Sequence, residues 1–353
     1  MSIQTKPYGT LPDGRAVTAY TMTNRAGASV SVIDFGAIFT SIVVPDRDGK
    51  LADVALGFDT LAAYAGDHAC MGDTVGRYGN RIAKGRFTLD GVTHQLALND
   101  GENHLHGGFS GFASKLWTAE AKEGDGADSL ILRLTSPDGE EHYPGTLCVT
   151  LTATWDDDCR LTLHYEATTD KPTLCNLTNH TYFNLAGHEH GTVRDHVISI
   201  ESDRVTVVGA GLIPTGELAD VTGTPFDLRA PRTLGEGLDQ TAAFPQMAMA
   251  GGYDHNFALR KGEAMGLAAT LSHPASGRAM DVLTDQPGVQ LYTACTTDAA
   301  GGKGGAHYGN YSGVCLETQH FPDSPNHPEF PGTTVLRPGE KYDTTTVYAF
   351  SVK

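Results

Sequence analysis

Apolar and polar residues alternate with a period of two along much of the chain. Alternating or β-branched runs cover residues 17–22, 29–44, 129–135, 147–154, 160–168, 197–200, 289–294 and 344–352. Successive side chains of a strand point to opposite faces, so each run predicts a strand with one face in a core. A helical period is nearly absent, with residues 60–65 as a short candidate. Alternating β and α units are thereby excluded, and an all-β, antiparallel sandwich is expected.

Turn-forming residues punctuate the runs at Pro45-Asp46-Arg47-Asp48-Gly49, Leu89-Asp90-Gly91, Pro137-Asp138-Gly139 and Arg337-Pro338-Gly339. They predict antiparallel connections. Asp156-Asp157-Asp158 lies between two strand-like runs and reads as a solvated turn rather than a cation site. Gly301-Gly302-Lys303-Gly304-Gly305 lacks the G-x-x-x-x-G-K-[ST] pattern and no helical run follows it, so a mobile surface loop is expected instead of a phosphate cradle. With no fixed repeat and no linker-like stretch, the chain reads as a single domain over residues 1–353.

Composition narrows the partners. Lys and Arg number 25 against 42 Asp and Glu, a formal charge of −17. That charge opposes binding to nucleic acid, anionic membranes or heavily phosphorylated ligands and favours a neutral small molecule. The first residues lack the apolar core of a secretion signal, and no run of 18 apolar residues occurs, so a cytoplasmic protein is expected. Cys70, Cys148, Cys159, Cys175, Cys295 and Cys315 are scattered without a C-x-x-C pair and are expected to be reduced. The sequon matches at Asn176 and Asn179 are read as chance. Oligomeric state, monomer or homodimer, is not encoded in any of these features.

Five segments carry more polar and aromatic groups than strands or turns require. They are Gly76-Arg77-Tyr78-Gly79-Asn80-Arg81-Ile82, Asn103-His104-Leu105-His106-Gly107-Gly108, Asn176 to Leu185, Gly252-Tyr253-Asp254-His255-Asn256-Phe257, and Glu317 to Asn326. A sugar offers hydroxyls at its rim and C–H faces above and below, so its pocket needs hydrogen-bonding groups and an aromatic wall. His180 in the third segment and Glu317 in the fifth add an acid and a base. Taken singly, each of these residues also has a structural reading: a bonded core histidine, a surface ion pair for Arg81, a turn cap for Asp254, core packing for Tyr182.

Together the order G-R-x-x-N-R-I, N-H-L-H-G-G, T-N-H-x-Y-F-N-L, G-x-D-H-N-F and E-T-Q-x-F-P-D-x-P-N, spread from residue 76 to 326, resembles the aldose 1-epimerases, or galactose mutarotases. The resemblance implies a large β-sandwich of the galactose-mutarotase type, with an open groove that binds a free monosaccharide without metal or organic cofactor. It carries His180 into the general-acid role and Glu317 into the general-base role. Asn80, Arg81, His106, Asp254 and Gln290 become substrate-binding residues, with Tyr182 as a further contact. His104 receives no role.

That assignment implies interconversion of α and β anomers: Glu317 takes the proton of the C1 hydroxyl while His180 protonates the ring oxygen, and the pair works backwards after the aldehyde rotates. Three alternatives stand beside it. His104 and His106, placed on one strand face, would suit a metal-dependent barrel enzyme. A binding module would hold a sugar without turnover. An epimerase of phosphorylated hexoses would need a basic cluster, for which Arg77, Arg81, Lys84 and Arg86 are the candidates.

Overall fold

The computed structural model describes residues 2–353. Every strand ladder in it is antiparallel, as the turn chemistry predicts. Ser2–Thr10, Ala16–Thr23, Ser29–Ile33, Ile38–Pro45 and Leu51–Asp53 form a five-stranded meander. A nine-stranded sheet runs in the order Thr118–Lys122, Ala127–Ser136, Leu147–Asp156, Arg160–Thr169, Tyr342–Val352, Arg278–Thr284, Gly266–Ser272, Val197–Ile200, Arg232–Thr233. A second five-stranded sheet is ordered Pro214–Asp220, Ser202–Val208, Asp254–Leu259, Gly288–Tyr292, Cys315–Gln319. Among the described residues no helix is long and apolar enough to cross a membrane.

One apolar core joins the three sheets. Leu132, Leu151, Leu163 and Val282 from the long sheet meet Val30, Phe39 and Ile42 of the meander and Phe257, Val289, Leu291 and Leu316 of the second five-stranded sheet. The predicted strands are all present, with one correction. Residues 29–44 are two strands, because Gly36 and Ala37 adopt positive φ (68° and 47°) and turn the chain back. The strand expected at 289–294 is Gly288–Tyr292, and the helix expected at 60–65 is Leu61–Tyr64, capped by the Thr60 hydroxyl accepting from the Ala63 N–H. Two short helices, Leu234–Leu238 and Pro245–Ala250, were not signalled by any amphipathic period.

Side chains tie the loops down. Asp156 Oδ1 accepts from the backbone of Asp158 and Arg160, so the acidic triplet is the expected turn. The glycine-rich loop lies at the surface but is pinned by Lys303, whose buried ammonium donates to Thr40 O (2.9 Å), Asp53 Oδ2 (2.6 Å) and Ala55 O. All six cysteines are free. Asn176 and Asn179 are buried, where no glycan could be attached to the folded chain.

Arg77 is the most constrained residue of the first motif. Its guanidinium, 2% exposed, donates to Ser136 Oγ (2.8 Å), Ser136 O (2.9 Å), Pro137 O (2.8 Å) and Gly145 O (2.8 Å). It binds loops, not a ligand. Arg77→Met should strand these acceptors and lower unfolding free energy by roughly 3–5 kcal/mol in urea titration; a loss below about 1 kcal/mol would mean that the cage carries little load.

Candidate active site

Three neighbouring strands build the floor of the site. Register places Asn256 opposite Gln290 and Gln290 opposite Glu317. Alternation then sends Phe257, Val289, Leu291 and Leu316 into the core and Asp254, Gln290, Tyr292, Cys315 and Glu317 onto the opposite face. A fourth strand, Thr178–His180, pairs with Asp73–Val75 and packs beside Cys315–Gln319, bringing His180 over that face.

The cavity so formed has a volume of about 220 Å³ and is lined by Asn80, Arg81, His106, His180, Tyr182, Asp254, Tyr292 and Glu317, with Ala69, Cys70, Leu105, Thr296 and Thr297 at its edges. Seven of the eight predicted site residues line it, and the eighth, Gln290, lies on the same sheet face and donates to Asp254 Oδ1 (2.6 Å). Sequence reading missed Cys70, Tyr292, Thr296 and Thr297. Tyr292 alone had a signal, two residues after Gln290 on a strand and hence on the same face.

His180 and Glu317 meet at 3.7 Å between Nε2 and Oε1. Glu317 is 2% exposed, and burial pushes its carboxyl up to about 7, with Asp254 adding to the rise and His180 and Arg81 opposing it. Its Oε2 has no hydrogen-bond partner among the described residues, nor does Gln290 Oε1. Buried orphan acceptors on one face are what a polar ligand would satisfy. Tyr182 and Tyr292 wall the imidazole, with ring centroids 5.1 and 6.1 Å from it. The Tyr182 hydroxyl donates to Ala69 O (2.8 Å), which leaves the ring rather than the hydroxyl as its surface.

Arg81 Nε donates to Asp100 Oδ2 at 2.9 Å and Nη1 lies 3.7 Å from Asp254 Oδ2. It is thus held between two carboxylates at the mouth, where a wider cavity of about 630 Å³ begins. Asn80 and His106 both have positive φ (64° and 50°), locked by a pair of bonds between them. The Asn80 N–H donates to His106 Nδ1 (3.2 Å) and the His106 N–H to Asn80 O (3.1 Å). Gly107 makes this turn possible: at φ +85°, an added Cβ would sit 1.9 Å from Gly76 O. Burial holds His106 well below the ordinary imidazole range. With Nδ1 an acceptor, its proton resides on Nε2.

The pairing of His104 with His106 on one strand face, which the metal-dependent alternative would need, is not formed. The strand His104–Leu105 ends before His106, and His104 is buried away from the cavity, bonded to Ala97 O (2.7 Å) and the Tyr143 hydroxyl (2.7 Å). Donor atoms of His106, His180 and Glu317 do lie within 4.8 Å of one another. The Asn80 N–H at Nδ1 opposes a metal there, because metallation of Nε2 would drive a proton onto the nitrogen that already accepts one.

A cavity lined by an imidazole, a carboxylate, further polar groups and aromatic rings on an antiparallel sandwich is of the class suited to a polyhydroxylated ligand. The comparisons agree with that class. A family profile described as aldose 1-epimerase matches residues 18–349. The chain is 43% identical over 353 residues to galactose mutarotase of Sus scrofa, covering 100% of this chain and 99% of that one. It is 37% identical over 341 residues to aldose 1-epimerase of Escherichia coli (strain K12), covering 96% of each. The crystal structure of galactose 1-epimerase from Lactobacillus acidophilus superposes with a TM-score of 0.87 at 28% identity, over 99% of both chains. The chain belongs to the aldose 1-epimerase family and has its β-sandwich fold.

Glu317 makes the site costly to build. Its carboxyl titrates at about 7 when folded against an ordinary 4.5, so ionising it destabilises the fold by about 3 kcal/mol. The cost is absent below pH 4.5, grows as pH rises and is complete above pH 7. Glu317→Gln should therefore be more stable than the parent at pH 8 by about 2–3 kcal/mol and equal to it near pH 4.5 in denaturant unfolding. An equal difference at both pH values would remove burial of the charge as the cause.

Proposed function

We propose that this protein interconverts the α and β anomers of free aldoses such as galactose and glucose, with His180 as general acid and Glu317 as general base. The observation that carries the reading is the 3.7 Å approach of Nε2 and Oε1 on one side of a sugar-sized cavity. The two oxygens that exchange protons in mutarotation, O1 and O5, are both bonded to C1, so one such pair of groups can reach both. Glu317 takes the O1 proton as His180 protonates O5; the C1–O5 bond breaks, C1 rotates, and the ring recloses as each proton returns.

Burial supports the exchange as well as costing stability. It raises the Glu317 carboxyl to about 7, so the carboxylate is a stronger base than an exposed one. Asp254, Arg81, Asn80, Gln290 and the Nε2–H of His106 would hold the hydroxyls, and Tyr182 would cover a ring face. Arg81, neutralised by Asp100 and Asp254, is poorly disposed to hold a phosphate, and Arg77 is committed to its carbonyl cage. A free aldose is favoured over a phosphorylated one for that reason. A binding module would have no use for the cost of an ionised, buried Glu317.

Polarimetry of freshly dissolved α-D-galactose and α-D-glucose should show accelerated decay to the equilibrium rotation, with glucose 6-phosphate unaffected. Glu317→Gln and His180→Asn should each lower kcat by about a thousandfold or more in a folded protein. The parent rate should fall below pH 7, as protonation removes the base. Near-parental turnover in either variant would sink its assigned role, and a phosphosugar preference would move the reading to a different epimerase.

A further inference from the structure

The proposed mechanism uses one nitrogen of His180, and the structure shows what holds the other. Nε2 faces Glu317; Nδ1 faces the Sγ of Cys315 at 3.6 Å. Cys315 stands two residues before Glu317 on the strand Cys315–Gln319, so both side chains leave the same face. One strand thus presents the imidazole with a carboxylate at one nitrogen and a thiol at the other. Cys315 is completely buried, and burial pushes its thiol well above its ordinary range, so it stays neutral. Cys70 lines the same cavity, and burial pushes its thiol well above the ordinary range, so it too stays neutral. Tyr182 and Tyr292 meet the imidazole through their rings, His106 stands edge-on at 5.2 Å, and Arg81 and Asp254 face each other. Asp73, its backbone partner, is bonded to His68.

Resting on the acid role given to His180, we infer that Cys315 is a positioning residue for the proton transfer. Its sulfur accepts the Nδ1–H of His180, confining the exchangeable proton to Nε2 and aiming that nitrogen at the ring oxygen. A carboxylate in its place would fix the tautomer equally well but would stabilise the imidazolium. An acid that must release its proton on opening and recover it on closing is better served by an uncharged, weak acceptor such as sulfur.

The test compares Cys315→Ala and Cys315→Ser with the parent and with His180→Asn, by kcat and KM across pH and by ¹⁵N NMR of the imidazole. In the parent, neutral His180 should carry its proton on Nδ1. Cys315→Ala should mix the tautomers and lower kcat about tenfold with KM little changed. Cys315→Ser, restoring an uncharged but stronger acceptor, should recover most of kcat and move the alkaline limb of the profile to higher pH. Parental kcat and tautomer in Cys315→Ala would overturn the inference, as would Ala and Ser variants equally impaired with the parental pH profile, since the sulfur would then only fill space. Should the Ala variant not fold, a proton on Nε2 in the neutral parent overturns it alone. Substantial turnover in His180→Asn is a separate outcome, which defeats the acid role itself.

Discussion

The structure depends on holding a carboxyl group, 2% exposed, 3.7 Å from an imidazole. Water would solvate Glu317 and leave it a weak base; a fully apolar pocket would keep it protonated at every working pH. The fold takes a middle course, with burial raising its titration to about 7 and the His180 and Arg81 charges limiting the rise. The surrounding framework preserves that balance. Asp254, whose charge would push Glu317 higher still, is bonded to Gln290 and lies beside Arg81.

Antiparallel register makes this arrangement reproducible. Once Asn256 pairs with Gln290 and Gln290 with Glu317, a slip of one residue would send Glu317 into the core and Leu316 into the cavity. The core face resists such a slip, because Phe257, Val289, Leu291 and Leu316 are packed against the long sheet. Precision at the site therefore comes from hydrophobic packing behind it. The cavity's other wall, Asn80 to Gly107, uses two non-glycine residues at positive φ held by reciprocal hydrogen bonds. Backbone strain of this kind is retained where neighbouring structure over-determines it.

Strands that divide core from water were legible: residues 147–154, 160–168 and 197–200 fall inside Leu147–Asp156, Arg160–Thr169 and Val197–Ile200. Those carrying the site were less so. Asp254–Leu259 and Cys315–Gln319 place polar side chains on a buried groove face, so they lack the contrast between buried apolar and exposed polar positions by which strands are read. The motifs pointed to the same segments by another route, as clusters of chemistry that no turn or strand required.

What the sequence determined by itself was the all-β class, the turns, the acidic net charge and the residues able to do acid and base chemistry, because periodicity, charge and side-chain type are local properties. Roles within the motifs were decided only by tertiary structure. Arg77 and Arg81 lie in one motif, yet one is a structural clamp and the other lines the cavity. His104 and His106 are separated by one residue, yet a change of backbone sign sends one into the core and the other to the site. Burial, the approach of distant strands and the partner at each ring nitrogen are properties of the folded chain, and they set proton affinities that no linear spacing encodes.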